Sequence, residues 1–241
     1  MDSRDWICKP MIFLKSDVES SSQLAQIETF VEAFLTVLDP TVKIDTVASA
    51  GDDIINITEQ QGHAGAAGYH VFRNGVPTAF VRPSARGRLW GTYIPARYSL
   101  AITKTVLGKK IVIRPSKMTT PESFTPGLIT DLCHEIAETL SDPNVETYLG
   151  PDRNGFQILY EPCDWVEGTF FARTLNGITA VFPNVALKAF ADLTNKQGPY
   201  DLLGFVKAPW GYVGSISEAW GYDPKKYPDP KTAVLTKIFP A

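Results

Sequence analysis

Two prolines, Pro126 and Pro143, bracket the stretch that limits the fold most severely. Between them Leu128, Ile129, Leu132, Cys133, Ile136 and Leu140 recur at three- and four-residue intervals, which gathers them on one face of an α-helix. Thr125-Pro126 opens that helix, since proline suits a first helical position where its missing N–H would have no partner anyway. Pro143 stops it. Asp131, His134, Glu135, Glu138 and Asp142 fall on the opposite arc. Taken alone, such an arc is an exposed acidic face carrying one incidental histidine.

The segment before this helix supplies its packing partners. Met11 to Leu14 is a short apolar strand, and the serines of Ser16 to Ser22 can cap the helix after them. Gln23 to Leu38 is that helix, with Leu24, Ile27, Val31, Phe34, Leu35 and Leu38 on one face, ended by Asp39-Pro40. Val42 to Val47 and Asp53 to Thr58 are further strands. Tyr69 to Phe72 and Thr78 to Val81 flank Asn74-Gly75, a hairpin turn signal. A second hairpin runs from Ala101 to Ile113, turning at Leu107 to Lys110. The small-residue loop Gly62 to Gly68 lacks the lysine and spacing of a phosphate cradle. Beyond Pro143 the chain reads as irregular and aromatic-rich, with Trp165, Trp210 and Trp220, one short helix at Val185 to Leu193, and a surface tail at Tyr222 to Pro230. The expected fold is a single α+β domain. Residues 1–124 form the sheet and first helix, 125–143 the second helix, and 144–241 a C-terminal subregion.

Composition narrows the function classes. With 44% apolar and 20% charged residues in 241, the chain is not of the disordered kind. No apolar run nears the roughly 20 residues of a membrane helix. Met1 to Leu14 lacks the order of a secretory signal, so a cytoplasmic setting is the default expectation. A net charge of −3 gives no bulk reason to bind nucleic acid. Arg82, Arg86, Arg88, Arg97, Lys104, Lys109 and Lys110, interleaved with Trp90, Tyr93 and Tyr98, read as a solvated surface rather than a single-strand platform. Cys8, Cys133 and Cys163 have neither disulfide nor zinc-ribbon spacing and read as buried thiols.

The chemistry concentrates at His134-Glu135-Ile136-Ala137-Glu138. Residues four apart on a helix project the same way, with Cβ atoms about 6 Å apart, so His134 and Glu138 can reach one metal ion. Glu135, about 100° further round the helix, can touch a metal-bound water without ligating the ion. This is the geometry of HExxH, in which two histidines bind zinc and the glutamate is the general base, with a glutamate in place of the second histidine. Downstream, Glu161-Pro162-Cys163-Asp164 sets two carboxylates around a thiol in an apolar setting, where carboxylates are usually paired or metal-bound.

Together, His134-Glu135-Ile136-Ala137-Glu138, Ser141-Asp142-Pro143 and Glu161-Pro162-Cys163-Asp164 resemble the pattern of a group of zincin-like metallopeptidases. That group includes the phosphate-induced-protein family and bacterial and phage-encoded proteins of unassigned role. Weaker echoes occur at Tyr200-Asp201-Leu202-Leu203-Gly204 and Ala208-Pro209-Trp210. The resemblance implies a twisted mixed β-sheet packed on two main helices, the second bearing the metal residues, with an irregular aromatic-rich C-terminal part. It implies a third ligand on a later segment. Glu161 is the best candidate, with Asp164 as an alternative or an outer partner, and Asp142 as a further ligand or as the group orienting His134.

The expected activity is metal-dependent hydrolysis of a peptide or protein held along an arm of the Tyr69 to Val81 hairpin, with Glu135 taking the water's proton. A His134, Glu138, Glu161 shell leaves Zn²⁺ neutral and its water less acidic than the usual pKa of about 7. Adding Asp142 or Asp164 turns the shell oxygen-rich and favours Ca²⁺ or Mn²⁺. The competing expectation is a zincin-like structural or interaction module, virion-associated if phage-encoded, with protein assembly partners. His63 reads as a loop histidine without function, and His70 as a strand residue explained by one face of the sheet. Tyr160 and Tyr200 read as packing residues.

Overall fold

Alternating apolar residues build the first layer. The structure, a computed structural model, describes residues 11–17, 19–38, 43–45, 53–59, 66–106, 109–150, 155–210, 219–226, 228 and 236–239. Cys8, His63, the Asp39-Pro40 helix stop, the Leu107-Gly108 turn and the outer ends of the Val42 to Val47 strand lie outside the described residues. Strands β1 (Met11–Ser16), β2 (Lys43–Asp45), β3 (Asp53–Ile57), β4 (Gly68–Arg73) and β5 (Val76–Val81) form one sheet in the order β2-β1-β3-β5-β4. All its pairings are parallel except that of β4, which lies antiparallel on β5 at the edge. Asn74 and Gly75 make the β4–β5 turn with φ of 53° and 78°, the left-handed pair that a two-residue hairpin demands.

Register fixes which side chains share a face. Leu14 pairs with Ile55, Ile55 with Ala79, and Ala79 with His70. This row of four is buried throughout and ends, at the sheet's edge, in an imidazole. Helix α1 (Ser21–Leu38) covers the sheet with Ile27, Phe30, Val31, Phe34 and Leu35.

In chain order, residues 92–125 between this sheet and the second helix form an antiparallel ribbon. Strand β6 (Thr92–Ile94) pairs with β11 (Ser123–Thr125), β7 (Arg97–Ser99) with β10 (Lys117–Thr120), and β8 (Ile102–Val106) with β9 (Lys109–Arg114). The hairpin expected at Ala101 to Ile113 is therefore only the outer end of a longer arm. Tyr98, Leu100, Ile102, Ile111, Val112 and Met118 are exposed along it.

Helix α2 (Leu128–Ser141) buries Leu128, Ile129, Leu132, Cys133, Ile136 and Leu140, the stripe expected from the sequence. Its start differs by two residues. Leu128, not Pro126, is the first helical residue and Gly127 the cap, and Gly127 packs so closely on Gly91 that a Cβ there would lie 2.2 Å from the Gly91 nitrogen. The Gly127 N–H donates to Thr130 Oγ1, whose hydroxyl donates to the Val181 carbonyl.

The segment after Pro143 is more regular than expected. Strands β12 (Tyr148–Leu149), β13 (Gln157–Leu159), β16 (Ala219–Tyr222) and β17 (Thr236–Phe239) pair in the order β12-β13-β16-β17. Strands β14 (Phe170–Leu175) and β15 (Ile178–Pro183) form a hairpin that turns on Asn176-Gly177, the same chemistry as Asn74-Gly75. The helix expected at Val185 to Leu193 shrinks to α3 (Lys188–Ala191). Tertiary pairing draws the preceding residues away: Ala186 bridges to Asp201, and the Leu187 N–H donates to the Tyr200 carbonyl. Trp165 and Trp210 are fully buried in a second apolar cluster with Tyr160, Phe190 and Tyr200. The described residues thus make a mixed α+β structure with three α-helices and no barrel. None of the described helices is long and apolar enough to cross a membrane.

Candidate metal centre

The polar arc of α2 is not solvated. Asp131, Glu135, Glu138 and Asp142 are each buried, because β4 packs against this side of the helix and the 161–166 segment also reaches it. Asp131 is held by a two-pronged Arg86 guanidinium, Nε to Oδ2 at 2.8 Å and Nη2 to Oδ1 at 2.9 Å, which anchors the first turn. The next turns carry the cluster.

His134 Nε2 lies 3.1 Å from Glu138 Oε1, one turn along α2, and 3.0 Å from Asp164 Oδ1, at the start of a short 3₁₀ turn spanning Asp164–Val166. Cys163 presents its sulfur to the same place: one ligand atom each from His134, Glu138 and Cys163 lie within 4.8 Å of one another. A single ring nitrogen, Nε2, thus faces two carboxylate oxygens. One N–H can serve only one of these acceptors well.

His70 builds the other half. Its Nδ1 is 3.7 Å from both Glu135 Oε2 and Glu138 Oε2, and its Nε2 is 3.8 Å from Glu161 Oε2. Glu138 therefore turns one oxygen to each histidine. Glu135 sits so close to β4 that a Cβ on Gly68 would meet its Oε1 at 2.6 Å. Glycine is needed at 68 because of that approach.

The sequence candidates divide accordingly. His134, Glu138 and Asp164 come together, whereas Glu161 is set against His70. Asp142 serves the turn after α2, accepting the Glu146 and Thr147 N–H groups at 3.0–3.1 Å. Cys163 is the buried thiol and His70 the strand residue that the sequence implies, but that both stand against the α2 carboxylates does not follow from either reading. The thiol's placement between two carboxylates was a usable signal, while His70 becomes visible only through strand register.

Burial dominates the electrostatics. It pushes the Glu161 carboxyl well above the usual carboxylate range, helped by Glu138 and Asp164. Glu135 is pushed up to about 7 by burial, against the pull of His70. Burial alone would depress both histidines, yet each is raised: His134 by Glu138 and Cys163 above all, His70 by Glu135 and Glu138. The Cys163 thiol is raised by burial, with His134 opposing. Glu135 Oε2, Glu138 Oε1, Glu161 Oε2 and His70 Nε2 are buried without a hydrogen-bond partner. Buried carboxylates at such density are stabilised by protons or by a cation, so the donor set fits a metal ion.

Compared with protein-family models, with curated proteins and with solved structures, the chain matches none.

Proposed function

We propose that the protein is a metal-dependent hydrolase, a zincin-like peptidase, whose ion is held by His134, Glu138 and Asp164 with Cys163 beside them. The supporting observation is the His134 Nε2 atom, which faces a carboxylate oxygen of Glu138 and another of Asp164 at 3.0–3.1 Å. A nitrogen, oxygen and sulfur donor set favours Zn²⁺ over Ca²⁺ or Mn²⁺, which prefer oxygen. When bound, the ion would polarise a scissile carbonyl and acidify the attacking water.

The chain's own residues supply the rest. Glu135, one residue beyond the first ligand, takes the proton of the attacking water and returns it to the leaving amine. Burial raises its carboxyl to about 7 in the ion-free chain, and a neighbouring cation would lower it again, leaving a carboxylate able to accept the water's proton. Strand β4 is the sheet's edge and passes directly over Glu135. A peptide added to that edge would be held by main-chain hydrogen bonds, a mode that needs no dedicated pocket.

The test pairs elemental analysis with a Glu135→Gln variant. Zinc-reconstituted protein should carry an ion that His134→Ala loses, and should cleave unfolded casein or a fluorogenic peptide pool. Glu135→Gln should keep the ion and lose the cleavage. A second reading, an assembly module that has kept the ion but not the activity, is favoured by the exposed apolar residues of the 92–125 ribbon. It expects the ion in place and no cleavage by the wild type.

A further inference from the structure

We infer that Glu138 separates two cation positions, and that the second, formed by His70 Nδ1, Glu135 Oε2 and Glu138 Oε2, takes a divalent ion that withdraws Glu135 from its proton-handling role. The inference rests on the proposed reading of the His134 position and names a regulation of that same site.

Three observations carry it. Ligand atoms from His70, Glu135 and Glu138 converge within 4.8 Å of one another, as a group separate from that of His134, Glu138 and Cys163. The two distances from His70 Nδ1, 3.7 Å each, are too long for hydrogen bonds. They are close to the roughly 3–3.6 Å at which ligand atoms stand around an ion bonded at about 2.0–2.2 Å. The side chains are also more than nine-tenths buried, and Glu135 Oε2 has no hydrogen-bond partner although it points at the imidazole.

The two ring nitrogens of His70 have different neighbours. Nδ1 faces Glu135 and Glu138, while Nε2 faces Glu161 at 3.8 Å. A metal-binding histidine characteristically directs its other N–H at a carboxylate, which fixes the tautomer and strengthens the ligand. Glu161 is the carboxylate on that side of the ring, its Oε2 3.8 Å away and without a hydrogen-bond partner of its own, so an ion at Nδ1 would have it close up and accept the Nε2 proton. Two carboxylates and one imidazole make a harder donor set than the sulfur-containing one around His134, so this position binds zinc more weakly and accepts Mn²⁺. A carboxylate shared through its two oxygens holds paired ions at the separation typical of two-metal centres, about 3.5–4 Å.

The test reads metal stoichiometry, independent of any substrate. Chelator-stripped protein is titrated with Zn²⁺ and the bound metal counted by calorimetry and by elemental analysis after dialysis. Two ions per chain are expected, the second bound more weakly. His70→Ala should bind one, and His134→Ala should lose the tighter one. Glu161→Gln, which leaves every ligand of both positions intact, should weaken only the second ion, by about 10–100-fold. It decides the matter even if His70→Ala fails to fold. Loaded with two Mn²⁺, the wild type should give an exchange-broadened electron paramagnetic resonance spectrum in place of isolated six-line signals. A wild type that saturates at one ion, a His70→Ala protein that keeps two, or a Glu161→Gln protein with unchanged second affinity overturns the inference. Binding of no ion at all overturns instead the reading of His134 on which it rests.

Discussion

His134 Nε2 and Asp164 Oδ1 stand 3.0 Å apart, although one belongs to the middle of a helix and the other to a short turn well downstream. Asp164 is a quarter exposed, so replacing it should disturb the site without disturbing the core. Asp164→Asn removes a charge while keeping shape. It should weaken Zn²⁺ binding by at least about 10–100-fold and leave the melting temperature of the ion-free protein nearly unchanged. Competition against a fluorescent chelator measures the first effect, and a thermal melt the second.

The ion-free protein should lose stability as pH rises. Glu135 and Glu161 both titrate above the ordinary carboxylate value of 4.5 in the folded chain. The folded state therefore holds protons that the unfolded state has released, and stability falls with pH above that value. The raised values of His70 and His134 act in the same direction. Their contribution is full below the ordinary 6.5 and is lost as pH climbs through their folded values. A bound ion displaces these protons, so saturating Zn²⁺ should flatten or reverse the slope. Melts between about pH 5 and pH 8, with chelator and with Zn²⁺, separate the two cases.

Asn184 should be indispensable for a different reason. It is fully buried, donating through Nδ2 to Asp201 Oδ2 at 2.6 Å and to Thr169 Oγ1 at 3.0 Å. Its Oδ1 accepts the Val185 and Leu203 N–H groups. Asn184→Ala would leave the Asp201 carboxylate, also fully buried, with the Phe205 N–H as its remaining partner among those bonds. The cost should be about 2–4 kcal/mol, read as a shift of the urea midpoint at constant slope.

Local chemistry is legible in the sequence, and placement is not. The Asn74-Gly75 turn, the α1 and α2 stripes and the His134–Glu138 spacing all come from short-range rules that tertiary structure left intact. The same Asn-Gly signal recurs at 176–177, between Thr174-Leu175 and Ile178-Thr179, and is legible by the same rule although the segment reads as irregular. The buried polar arc of α2 is beyond the reach of periodicity, which shows which residues share a face but not what covers it. His70 illustrates the limit most sharply. Its neighbours in the site depend on β4 pairing with β5 so that His70 stands opposite Ala79, and a one-residue slip would have turned the imidazole to the other face. Which of Glu161 and Asp164 meets His134 depends likewise on the 3₁₀ turn at 164–166, which no spacing rule encodes.

Gly68→Ala probes the contact between sheet edge and helix directly. A methyl group at 68 would lie 2.6 Å from Glu135 Oε1 and 2.7 Å from its Cγ, well inside van der Waals contact. Glu135 cannot yield toward His70 without closing the 3.7 Å gap between them, so either its side chain rotates out of the site or β4 lifts from α2. Overpacking of this kind costs about 1–3 kcal/mol. The three atoms nearest the added methyl all belong to Glu135 and none to a ligand of the His134 position, so the first Zn²⁺ equivalent should bind normally. The second equivalent, together with any peptide cleavage, should be lost. Calorimetric titration of Gly68→Ala with Zn²⁺ checks this, and two undiminished binding steps would show that Glu135 is not held where the β4 backbone confines it.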